Sequence, residues 1–178
     1  MSKRWRSVDE ARERASEITP EEFVTWHSSW ILLAGEIRTG QLLSKPKGTM
    51  HLVGDHSVME EEKQHPSRGR YCLLRRERET HFSGWLEIGR TIENDIVIND
   101  YTISKSHARI RKNPQGMGWF LEDRGSTNHT FIGRQSLQAD EPQLVKSGSL
   151  LRFGRLHFTL LDPSAFCALL VGDENKQT

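Results

Sequence analysis

The stretch ISKSHARIR, Ile103 to Arg111, sets Ser104, Lys105, Ser106 and His107 side by side at the start of an alternating apolar segment. A serine near a histidine suggests a nucleophile and its base, a pair that also needs a group to orient the imidazole and donors for an oxyanion. In an extended strand Ser104 and His107, three positions apart, point to opposite faces unless a turn intervenes, and Ser106 opposes its neighbour His107 as well. No carboxylate stands at a recognised spacing from them, and the chain has no G-x-S-x-G elbow, H-E-x-x-H, P-loop, or G-x-G-x-x-G opening a helix. The reading is a residue set that grips rather than cuts: not an enzyme, with no catalytic residue, cofactor or metal site expected.

Anion capture fits the same residues. Arg90 follows Gly89 at the end of LEIGR, Ser104 and Lys105 stand in ISKSH, and Thr127 and Asn128 stand in DRGSTNHT, each at a strand-to-loop transition. A guanidinium fork, an ammonium and two hydroxyls complement a phosphate, and an amide can read a peptide backbone. A competing reading makes Arg109, Arg111 and Lys112, beside Lys105, a basic strand face for nucleic acid. The balance of 25 Lys and Arg against 24 Asp and Glu, net +1, argues against a polyanion binder, so no nucleic-acid partner is expected.

These loops need strands to hold them. RYCLLRR, WLEIGR, DIVI, HARIR, WFLED, TFIG and LLRFGRLHFTLL are short segments separated by Gly, Asn, Asp, Ser and Pro clusters, the pattern of an all-β sandwich. In the last of them Leu156, Phe158 and Leu160 alternate with Arg155, His157 and Thr159, one face apolar and the other wet. Upstream, SVDE and TPEE are helix starts, with Ser7 and Thr19 as N-caps, Glu10 and Glu22 three residues on, and Pro20 at a first helical position. Phe23, Trp26, Trp30, Leu33 and Ile37 then recur at helical spacing, which predicts a helix of about four turns, stopped near Gly35 and packed on the rest of the chain. From Arg38 to Arg70 the pattern dissolves into a linker with MHLV as its one short strand, and DPSAFCALLV reads as a terminal helix starting near Asp162 and Pro163.

The order GR, NDIVI, S-x-x-H, GSTN-x-T and a hydrophobic strand ending FG, from about Arg70 to Leu161, resembles the forkhead-associated (FHA) domain. The resemblance implies an FHA-type β-sandwich of about eleven strands that binds phosphothreonine peptides. It implies that Arg90 and Ser104 hold phosphate oxygens, that Lys105 and Thr127 add charge and a further donor, and that Asn128 bonds the peptide backbone. Gly89, His107 and Gly125 become structural residues at the site, the first in a turn and the histidine as a brace. The expected function is a phosphothreonine-dependent interaction module in Ser/Thr kinase signalling, its partner a phosphorylated kinase or kinase substrate; the alternative is a phosphate-independent FHA-like scaffold or oligomerisation protein. Two positions depart from the family pattern. His129 stands where glycine is usual, so a residue that tolerates positive φ less readily occupies that turn, and Ser149 stands where aspartate is usual.

The expected division is a helical extension and linker over 1–69, the FHA domain over 70–162 and a short tail or helix over 163–178. Cys72 and Cys167 lie in apolar surroundings without metal-ligand spacing and read as buried spectators. WILLAG falls far short of the ~18 residues of a membrane span, which predicts a cytoplasmic protein with no membrane partner. Thr19, Thr25, Thr39 and Thr49 are candidate phosphorylation sites through which the N-terminal region would engage another copy.

Overall fold

A computed structural model describes residues 5–35, 37–38, 41–42, 69–75 and 84–172. In chain order the elements are β1 (Trp5–Ser7), α1 (Val8–Glu17), α2 (Pro20–Trp26), β2 (Ile31–Ala34), β3 (Ile37–Arg38), β4 (Gln41–Leu42), β5 (Arg70–Leu73), β6 (Leu86–Gly89) and β7 (Ile96–Val97). They continue with β8 (Ala108–Lys112), β9 (Trp119–Asp123), β10 (Thr130–Ile132), β11 (Gln135–Ser136), β12 (Gln143–Val145), β13 (Leu150–Phe153), β14 (Leu156–Leu161) and α3 (Pro163–Gly172). A seven-stranded sheet, β1-β5-β2-β14-β13-β10-β11, faces a five-stranded sheet, β12-β9-β8-β6-β7, and β3 and β4 form a separate two-stranded hairpin. The segment MHLV lies outside the described residues.

Two cores result. Leu32, Ala34, Cys72, Ile88, Ile110, Leu121, Leu151, Phe153 and Phe158 fill the space between the sheets. Ile31, Leu33, Tyr71 and Leu73 point the other way, onto a layer in which Phe23 of α2 and Phe166 and Leu170 of α3 are buried. The two helix starts form as read. The Ser7 hydroxyl accepts from the amides of Asp9 and Glu10, and Thr19 and Glu22 make a reciprocal capping box with Pro20 in the first turn.

The four-turn helix does not form. It ends at Trp26, His27 leaves helical dihedrals at φ −100 and ψ 64, and Ile31–Ala34 is a strand with β5 on one side and β14 on the other. All four residues of that strand are buried, because one side meets the sandwich core and the other the helical layer. A strand buried on both faces loses its alternation and reads as a continuous apolar run. The chance three- and four-residue spacing from Phe23 to Leu33 therefore spans two elements. The expected boundary at residue 70 also falls inside the large sheet, between β2 and β5, since β1 pairs with β5 in the register Trp5 with Cys72. The Trp5 indole reaches further and donates to Val97 O at 2.9 Å, joining β1 at the edge of one sheet to β7 at the edge of the other.

Candidate functional site

The loops after β6, β7 and β9 and the β13–β14 turn meet at one end of the sandwich. Gly89 is the last residue of β6 rather than part of a turn. A Cβ there would sit 2.2 Å from Lys105 O, so the strand approaches the next loop more closely than any side chain permits. That approach lets the Arg90 amide donate to Ser104 O at 3.0 Å and its Nε donate to Ile103 O at 3.1 Å. Asn94, absent from the sequence-derived set, donates from Nδ2 to Lys105 O at 2.7 Å and to Thr91 O at 2.9 Å.

The stretch from Ile103 to His107 is a turn, not a strand, and β8 starts only at Ala108. The Ser104 amide donates to His107 Nδ1 at 3.1 Å, so that nitrogen carries no proton, and the opposite ring nitrogen, Nε2, donates to His129 O at 3.2 Å. Burial pushes the imidazole below the usual histidine range, against the opposing pull of the His129 carbonyl and Asp123. Both nitrogens serve the backbone, which removes His107 as a base and makes it the brace between the loops. The Ser104 hydroxyl oxygen in turn accepts from the Thr127 amide at 3.1 Å, and Asn128 Nδ2 donates to Thr102 O at 2.8 Å.

The structure thus brings Arg90, Ser104, Lys105, Thr127 and Asn128 together, tied through backbone groups of one another's loops. Arg90, Lys105, Thr127 and Asn128 are exposed. Arg90 Nη1 and Nη2, Lys105 Nζ and the hydroxyl protons of Ser104 and Thr127 have no acceptor among the described residues. Gly125 adopts φ 68, and His129 adopts φ 58, the conformation that glycine would take without strain.

Two buried carboxylates escaped the sequence reading. Asp123 accepts from the Ser126 amide at 2.8 Å and from the hydroxyls of Ser126 and Thr130, each at 2.6 Å, and so sets the shape of the GSTN loop. Burial alone would raise its pKa, but those hydrogen bonds outweigh it and hold the carboxyl below the usual range. Asp100 accepts from the amide and hydroxyl of Thr102 and pairs with Arg155 at 2.7 Å, joining the loop before Ser104 to the β13–β14 turn. Its pKa is lowered in the same way, burial being overcome by Arg155 and Thr102. The only signal for either was an aspartate at a strand end, which many turns share. Ser149 lies in the turn before β13, where its hydroxyl accepts from the Lys146 amide at 3.0 Å, apart from this cluster.

A two-sheet β-sandwich with cations, hydroxyls and an amide on converging loops is the architecture of a loop-borne recognition domain. Residues 86–154 match the family model of the FHA domain. The FHA domain-containing protein FhaB of Mycolicibacterium smegmatis is 43% identical over 68 residues, covering 38% of this chain and 41% of that one. An oxoglutarate dehydrogenase inhibitor of Corynebacterium glutamicum is 34% identical over 74 residues, covering 41% and 48% of the two chains. The matched stretch is therefore less than half the length of either relative. Among solved structures, the FHA domain of an Arabidopsis thaliana protein superposes with a TM-score of 0.50 at 18% identity, over 75% of this chain and 85% of that one, which shows the fold.

Proposed function

We propose that this end of the sandwich binds a phosphothreonine-containing peptide or protein and that the chain is an interaction module rather than an enzyme, serving a Ser/Thr kinase or its substrate. The observation that carries the reading is the fixed geometry of the donors. Arg90 is held through Nε while its two terminal nitrogens stay open, and Ser104 is held through its oxygen lone pair while its proton stays open. A phosphothreonine brings about −1.5 to −2 charges and three strong acceptors, which match these donors together with Lys105 and Thr127. Asn128 then pairs with the peptide backbone beside the phosphate. Of the candidate phosphorylation sites, Thr19 and Thr25 lie at the N-cap and inside α2, and Thr39 and Thr49 lie outside the described residues.

Titration with matched phosphorylated and unphosphorylated threonine peptides tests this. Wild type is expected to bind only the phosphorylated set, and Arg90→Ala to lose about 1.5–3 kcal/mol of affinity, the range for a hydrogen bond to a charged group. Equal binding of both sets would favour the phosphate-independent scaffold instead. Equal binding by wild type and Arg90→Ala would remove Arg90 from the site. We also propose that the folding unit extends from residue 5 to residue 172, since β1, β2 and α3 complete its sheet and its second core.

A further inference from the structure

An open groove beside Lys105 has Glu87, Thr91, Glu93, Asn94, Ser106 and Arg124 on its walls, and Asn128 is not among its lining residues. Its charges are unequally committed. Arg124 Nη1 pairs with Glu122 at 3.3 Å and with Asp140. Arg109, which stands directly across from Glu87 in the β6–β8 ladder, turns Nε and Nη2 to Glu122, each at 2.7 Å. Glu87 and Glu93 have no ion pair among the described residues, and the Glu87 amide already donates to a further carboxylate, Asp95 Oδ2, at 3.0 Å. The Thr91 hydroxyl and the Glu93 backbone hold the Glu93 carboxyl below its usual range, with Lys105 adding to the effect, so Glu93 is ionised at neutral pH. Once a phosphate engages Lys105, the charges left unmatched in the groove are both negative.

We propose that this groove receives a lysine or arginine side chain of the bound phosphopeptide, so that the protein selects phosphothreonines with a basic residue on the one flank that reaches the groove. The inference rests on the phosphothreonine reading above and adds the sign of the neighbouring residue to it. Glu87 sits on a strand and Glu93 in a loop pinned to the Ser104 loop by Asn94, so two carboxylates approach the incoming cation from a frame fixed before binding. The same pair repels an acidic residue at that position.

The test is binding of phosphothreonine peptides in which each flanking position in turn carries Lys, Ala or Glu, measured with wild type and with the double variant Glu87→Gln, Glu93→Gln. Wild type is expected to prefer Lys over Glu at one or more positions on a single side by about two- to tenfold, as for exposed charge pairs acting together. The double variant is expected to lose that preference while still requiring the phosphate. Phosphate-dependent binding by wild type that ignores flanking charge, or a Lys preference that survives in the double variant, overturns the groove assignment alone. Binding that ignores the phosphate overturns the phosphothreonine reading and this inference with it.

Discussion

His129 holds φ 58 although it is not glycine, and its carbonyl is fixed there by His107 Nε2 and by the Gly154 amide at 3.1 Å. A left-handed L-residue costs about 1–2 kcal/mol, and glycine returns part of that through its looser unfolded state. His129→Gly should therefore stabilise the protein by up to about 1 kcal/mol, seen as a higher denaturation midpoint at unchanged slope. Asp123→Ala acts in the opposite direction. It leaves Ser126 and Thr130 without their acceptor and should cost about 2–4 kcal/mol, read from the same titration. Because Asp100 and Asp123 have folded pKa values below their unfolded ones, their contribution is complete above the unfolded value and is lost as pH falls through the folded one. Acid titration should show that loss below about pH 4, reduced in Asp123→Ala. The loops that carry Arg90, Ser104 and Thr127 could be located in the sequence because their motifs stand in a recognisable order between strand segments. Asp100 and Asp123 could not, because their partners are chosen by tertiary packing.

His27 ends α2 and lies fully buried among Phe23, Trp26, Tyr71 and Phe166, with the Tyr71 hydroxyl 3.2 Å from Nε2 and no hydrogen-bond partner for Nδ1 among the described residues. Burial, reinforced by the charges of Arg6 and Arg75, lowers its pKa to about 4 from an ordinary 6.5. The unfolded chain thus binds a proton that the folded one refuses between those values, and stability falls as pH drops from 6.5 towards 4, by up to about 3 kcal/mol. His27→Phe is expected to flatten that part of the stability profile, whereas a slope equal to wild type would show that another group carries it. The caps of α1 and α2 were readable because they are local exchanges within four residues. The end of α2 was not, since the strand that follows is defined by β5 and β14, which lie far along the chain.

A fragment starting at residue 70 would retain the matched family segment but lose β1 and β2, leaving β5 and β14 without the strand between them. Such a fragment is expected to show no cooperative thermal transition, whereas one spanning residues 5–172 should melt like the full chain. The family motifs located the loops at this end of the sandwich, but they did not show how far back the sheet reaches, because strands are assigned by their partners and those partners are distant in sequence. The same arrangement sets an order of events during synthesis. Ile31–Ala34 is made first, and its partner strand, Leu156–Leu161, follows only after roughly 120 intervening residues. At ribosomal speeds the interval is on the order of ten seconds. Throughout it, a fully apolar strand has at least one ladder unfilled, until Leu156–Leu161 closes over it.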